Sequence, residues 1–135
     1  MTDVALKLNV LYVDDDPVNL RVLGDMLGAC GMTVTCAASG SEALQWLGMQ
    51  AFDVVLMDLH MPGLNGTQTL HELRKSTGLN RDAPVVVVTA DASVEREAGA
   101  MGFTGFLAKP VSMKAALAAI LGALSTHSPR ANLRR

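Results

Sequence analysis

The chain has 135 residues, half of them apolar and 18% charged, which is long enough to bury one core and too apolar to stay disordered. A net charge of −2 excludes the broad positive face of a nucleic-acid binder. Although mean hydropathy is +0.29, Gly, Asp or Lys interrupts every apolar run well short of the ~20 residues a membrane-spanning helix needs.

The opening residues 1–10 have no basic region followed by a long apolar stretch, so no signal peptide is expected. Cys30 and Cys36 are too few and too poorly spaced for a zinc site or a redox pair. They are expected to be buried, reduced thiols of a cytoplasmic protein. In chain order, "VLYV" (Val10–Val13) predicts a strand, and Val18–Cys30 predicts an amphipathic helix. Its inner stripe is expected to be Val18, Val22, Met26 and Ala29, with Leu23 and Leu27 beside it and Gly31 as the stop.

"TVTCA" (Thr33–Ala37) predicts a second strand. A helix follows over Ser39–Met49, with Ser39 and Glu42 at capping-box spacing. Asp53–Asp58 is a third strand, followed by a turn, Met61–Gly66, and a helix over Thr67–Ser76. Pro84–Ala90 is a fourth strand, Ser93–Met101 a weak helix containing Gly99, Thr104–Lys109 a fifth strand, and Ser112–Leu124 a last helix. Five strand–helix pairs whose strands are apolar at every position predict a parallel sheet covered on both faces. The fold expected is therefore a doubly wound α/β domain of five strand–helix pairs over residues 1–125, with a flexible basic tail at 126–135 carrying Arg130, Arg134 and Arg135.

In such sheets function gathers at the carboxyl ends of the strands. Here those ends are polar: Asp14, Asp15 and Asp16 after the first strand, Asp58 on the third, Thr89 on the fourth, Lys109 and Pro110 on the fifth. Asp16 followed by Pro17 reads as a helix N-cap with no direct chemistry. Taken singly, Thr89 is an ordinary strand residue and Lys109 an ordinary surface lysine. Asp58 is different, because a carboxylate ending a buried strand is costly unless something compensates it. Asp15 and Asp58, with Asp14 holding a water, make a carboxylate-oxygen set suited to Mg²⁺. Beside such an ion, an Asp carboxylate is a competent nucleophile toward phosphorus. Without the cation, the loop after the first strand is expected to be strained.

The motifs "VDDDP", "LMDLHMPGLNG", "VVTA" and "GFLAKP" give the chain a close resemblance to the receiver domains of two-component response regulators, across residues 8–124. The resemblance implies a flavodoxin-like (βα)5 fold with a five-stranded parallel sheet in strand order 2-1-3-4-5, and a Mg²⁺ (or Mn²⁺) held by Asp14, Asp15, Asp58 and the His60 backbone carbonyl. It implies Asp58 as phosphoacceptor, Thr89 and Lys109 as its catalytic companions, Thr89 and Phe106 as switch residues, and a cis bond between Lys109 and Pro110. The phosphoryl donor implied is a histidine kinase or histidine phosphotransfer protein, and the output is a repacked surface of the fourth helix, fifth strand and fifth helix. That surface would meet a downstream protein or a second copy, without direct contact to nucleic acid or membrane. Such a domain catalyses its own Mg²⁺-dependent phosphorylation and dephosphorylation and is not a conventional enzyme unless it is part of a hybrid kinase.

His60 and Asp91, each two residues beyond a site residue, are expected to tune the lifetime of the phosphoryl group. Asp91 either orients a hydrolytic water or caps the next helix. From Ala115 to Leu124 the last helix is uncharged, although Leu117, Ile120, Leu121 and Leu124 suffice for a core stripe. Its remaining face is either solvated or a contact surface. Two alternatives stand beside the receiver reading. One is a metal-dependent aspartyl-phosphate phosphatase, which would want an Asp where His60 stands. The other is a phosphorylation-independent pseudo-receiver module, which the intact set Asp14, Asp15, Asp58, Thr89 and Lys109 argues against. With no output domain after Leu124, the sequence reads either as a free-standing regulator or as the receiver of a hybrid histidine kinase.

Overall fold

The computed structural model describes residues 7–126. Five parallel strands, β1 (Asn9–Val13), β2 (Thr33–Ala37), β3 (Val54–Asp58), β4 (Val85–Thr89) and β5 (Gly105–Ala108), form one sheet in the order β2-β1-β3-β4-β5. Four α-helices among the described residues cover it: α1 (Pro17–Gly28), α2 (Gly40–Leu47), α3 (Gly66–Lys75) and α4 (Met113–Thr126). The expected doubly wound sheet and strand order are both present.

Strand alternation divides the interior into two cores. Leu11, Val13, Val55, Met57, Val85 and Val87 face α2 and α3, together with Leu47, Leu70 and Phe103. Val10, Tyr12, Val54, Leu56, Val86 and Val88 face α1 and α4, together with Leu23, Leu27 and Ile120. Successive side chains of a strand point to opposite faces, so an unbroken run such as Val85–Val88 supplies both cores.

Four expectations need correction. Ser93–Met101 does not form an α-helix: a short 3-10 turn, Ala92–Val94, is followed by further turns up to Gly102 at φ 101°. Val94 and Ala98 alone of Ser93–Ala100 are buried, too little apolar surface to offset Gly99 and fix a regular helix. In α1 the buried residues are Leu23 and Leu27, whereas Val18 and Val22 are 65% and 54% exposed and Ala29 is also exposed. The helical period is right, but the inner stripe is rotated toward the bulkier leucines.

α4 docks through Ala116, Ile120 and Ala123, with Leu117 and Leu124 half-buried and Leu121 48% exposed. Small alanines let the helix lie close to the sheet, which turns the leucines toward its flanks. The thiols are not deeply buried either: Cys30 is half-buried and Cys36 is exposed on edge strand β2, both unpaired.

The local stop and start signals are more faithful. Asp16 caps α1 by accepting from the Val18 N–H at 2.9 Å. Gly31 takes φ 95° just beyond that helix, a backbone conformation glycine adopts without cost. Ser39 accepts from the Glu42 N–H, but the Glu42 carboxylate reaches the Ala38 N–H rather than that of Ser39. A fully reciprocal capping box appears instead at α3, between Asn65 and Gln68. Residues 127–135, most of the expected basic tail, lie outside the described residues.

Candidate functional site

The connections that leave β1 and β3 run to opposite sides of the sheet, which opens a cleft above their carboxyl ends. β1 and β3 pair Val13 with Met57, so Asp14 follows β1 at the level of Asp58. β4 and β5 pair Thr89 with Ala108, which brings Lys109 up beside them. A cavity of about 600 Å³ results, lined by Asp14, Asp15, Asp16, Asn19, Asp58, His60, Thr89, Ala90, Asp91 and Lys109. Every site residue taken from the sequence is in this lining except Phe106 and Pro110. Phe106 is half-buried on β5 against the α2/α3 core. The Lys109–Pro110 bond is cis, and Pro110 lines a neighbouring cavity of about 180 Å³ with Tyr12, Asn19 and Val22.

Asp14 is fully buried and Asp58 is 5% exposed, yet they sit close enough for one cation of opposite charge to bridge them. The Lys109 ammonium lies 3.1 Å from Asp14 Oδ2 and 3.4 Å from Asp58 Oδ2. Asp14 has further donors: the Tyr12 hydroxyl at 2.8 Å and Asn19 Nδ2 at 3.2 Å reach Oδ2, and the Asp16 N–H reaches Oδ1 at 2.9 Å. Asp58 receives the His60 N–H at 3.4 Å. The expected strain is not in the backbone: among the described residues no non-glycine residue is left-handed. Lys109 and these donors offset part of the repulsion between the two acids.

The two buried acids are pushed apart in basicity. Burial would raise Asp14, but the Asp16 N–H, the Tyr12 hydroxyl and Lys109 outweigh it and hold its carboxyl below the ordinary carboxylate value. Burial, and then the charge of Asp14, push Asp58 above that value, with only partial relief from Lys109 and the His60 N–H. Burial would lower Lys109, and its two carboxylate partners raise it instead, so it remains a cation. The buried part of the site therefore combines one firmly ionised acid, one more basic and more nucleophilic acid, and one ammonium.

Thr89 is 2% exposed, and its Oγ1 accepts the Asp91 N–H at 3.1 Å, which leaves its own hydrogen free to donate. Asp91 caps the 3-10 turn, accepting from the Ser93 N–H at 3.0 Å and the Ser93 hydroxyl at 2.6 Å. These bonds hold its carboxyl below its usual range. Of the two roles open to Asp91, capping is the one its contacts display.

For a metal the donor set fits. One carboxylate oxygen from each of Asp14, Asp15 and Asp58 lies within 4.8 Å of the others. An all-oxygen, strongly negative set suits a hard divalent cation rather than zinc or copper. Tyr12 and Asn19 are the participants that sequence reasoning missed. Tyr12 looked like one more apolar strand residue, although two-residue spacing already placed it on the same side of the chain as Asp14.

Comparison with known proteins agrees with this geometry. The model of the response regulator receiver domain family matches residues 10–121. The sensor histidine kinase RcsC of Salmonella typhi is 38% identical over 108 residues, which is 78% of this chain but 11% of that protein. The transcriptional regulatory protein GlrR of Escherichia coli is 37% identical over 123 residues, 90% of this chain and 27% of that protein. The chain thus spans only a small part of these relatives. Among solved structures, the receiver domain of sensor histidine kinase PA1611 from Pseudomonas aeruginosa superimposes with a TM-score of 0.79 at 30% identity, covering 89% of this chain and 99% of that one. That crystal structure has a magnesium ion coordinated in its active-site cleft. With its sheet order, its acidic rim and the family match all in accord, this chain belongs to the response regulator receiver domain family of two-component signalling.

Proposed function

We propose that the chain accepts a phosphoryl group on Asp58 from a phosphohistidine of a histidine kinase or histidine phosphotransfer protein. The observation that carries this reading is the buried Asp58, raised in basicity and 3.4 Å from Lys109 on a rim that also holds Asp14 and Asp15. An Asp58 carboxylate oxygen attacks phosphorus. The P–N bond breaks, its electron pair returns to the imidazole, and an acyl phosphate remains on Asp58. Asp14, Asp15, Asp58 and the His60 carbonyl would hold Mg²⁺ (or Mn²⁺), which when bound neutralises charge on the phosphoryl oxygens. Lys109 moves its charge from the acid pair toward the new dianion, and the free hydrogen of Thr89 donates to it.

Thr89 and Phe106 then carry the change outward. Phe106 is half-buried against the core cluster that also takes Val94 and Ala98 from the irregular segment after β4, whose few buried side chains make it the easiest part of the fold to repack. The exposed Val18 and Val22 of α1, the latter lining the smaller cavity next to the acidic one, offer the incoming phosphohistidine protein an apolar landing face. The outer face of α4 between Ala115 and Leu124, uncharged and with Leu121 48% exposed, is the surface assigned to the downstream protein or a second copy. Domain limits of 1–125 and a cytoplasmic setting belong to the same reading. Among the described residues, no helix is long and apolar enough to cross a membrane.

Incubation with acetyl phosphate and Mg²⁺ followed by intact mass measurement tests the proposal. A single phosphate adduct is expected, lost on chelation of the metal and lost in Asp58→Asn. An adduct that survives Asp58→Asn would sink it. His60→Ala is expected to change the decay rate of the adduct without preventing its formation.

A further inference from the structure

Asp14 Oδ2 accepts from three donors at once: Tyr12 at 2.8 Å, Lys109 at 3.1 Å and Asn19 at 3.2 Å. A carboxylate oxygen has about two lone-pair sites, so Oδ2 has no capacity left for a cation. Among the described residues Oδ1 has one donor, the Asp16 N–H, and keeps a lone pair to spare. Tyr12 is 1% exposed and packed in the α1/α4 core, so its ring is fixed and its hydroxyl has little freedom to turn away. Asn19 extends from the first turn of α1.

We propose that Tyr12 and Asn19 are positioning residues for the metal site, pinning Asp14 in the orientation that offers Oδ1, and only Oδ1, to the divalent cation. The inference rests on the metal-assisted reading given above. Two consequences follow. The pair keeps Asp14 hydrogen-bonded when Lys109 leaves it for a phosphoryl group, so that move does not strand a buried charge. It also makes metal affinity depend on two side chains that never touch the metal.

The test is calorimetric titration of the full chain with Mg²⁺, without phosphodonor, for wild type, Tyr12→Phe and Asn19→Ala. Each variant is held well below its melting temperature, as followed by circular dichroism. Mg²⁺ binding roughly tenfold weaker in Tyr12→Phe is expected, with a smaller loss in Asn19→Ala. A merely structural role would lower the melting temperature and leave the affinity of the folded variant unchanged. Unchanged affinity in the folded variants overturns the proposal, and Asn19→Ala alone decides it if Tyr12→Phe does not fold. Absence of Mg²⁺ binding by wild type overturns the metal reading itself, and this proposal with it.

Discussion

The sheet buries polar groups at both ends, and the two ends are built on opposite principles. At the amino end Asn80, 2% exposed, accepts the Phe52 N–H at 2.9 Å and donates to the Leu47 and Gln50 carbonyls at 2.7 Å each. It is a neutral clamp with its oxygen and both amide hydrogens in use, tying the end of α2 to the starts of β3 and β4. At the carboxyl end Asp14 and Asp58 repel one another across a shared lysine, and Asp58 is left the less comfortable of the two. Both are buried polar clusters, but only the second keeps an unmet electrostatic demand. Burial with full satisfaction gives stability, whereas burial with a surplus of charge gives a site that wants a ligand.

The sharpest way to break this contrast is at the clamp. Asn80→Ala leaves two carbonyls and one N–H unpartnered in the interior and is expected to cost about 2–4 kcal/mol of stability in denaturant titration. Phosphorylation by acetyl phosphate, assayed where the variant is folded, should proceed at the wild-type rate. A slowed reaction would mean that the two ends are not independent.

At the rim the sign reverses. Asp58→Asn removes the like-charge burden and is expected to raise metal-free stability by on the order of 1 kcal/mol. Adding Mg²⁺ should erase the advantage, because the cation stabilises the native acid set. A destabilised Asp58→Asn in chelator would show that Lys109 fully compensates the pair.

The mildest test is pH. Asp58 titrates above its ordinary value of 3.8 in the folded chain, so the folded state takes up that proton before the unfolded one does. Metal-free wild type should therefore gain stability as pH falls through the raised Asp58 value toward 3.8. Asp14, held below 3.8, contributes stability that is lost only at still lower pH. Asp58→Asn should lack the first arm and keep the second, as thermal melts across that range would reveal.

Much of this contrast was legible before any coordinates. The rim announces itself because carboxylates, a hydroxyl and a lysine end apolar runs, a pattern that strand geometry converts into proximity. The clamp does not, since Asn80 sits in a polar loop where no period or spacing sets it apart. Tyr12 was hidden for a different reason, as its hydroxyl matters only once Asp14 is known to stand two residues further on the same side. Helix phase was the least readable feature. Val18 and Val22 recur with the right period, and only competition with Leu23 and Leu27 for the sheet decides which stripe turns inward. The segment 93–101 erred in the same direction, because weak apolar content was enough to suggest a helix and too little to hold one.

Gly66 opens α3 against the end of β3, its N–H on the Leu59 carbonyl at 2.9 Å. A methyl group there would fall 2.5 Å from the Asp58 carbonyl oxygen and 3.0 Å from Leu59 Cα, against main chain that cannot step aside. Helix and Asp58 are thus in backbone-to-backbone abutment, with no side chain between them to act as a cushion. Any displacement of the Asp58 main chain is therefore expected to push on the first turn of α3, the turn that the reciprocal cap of Asn65 and Gln68 holds together.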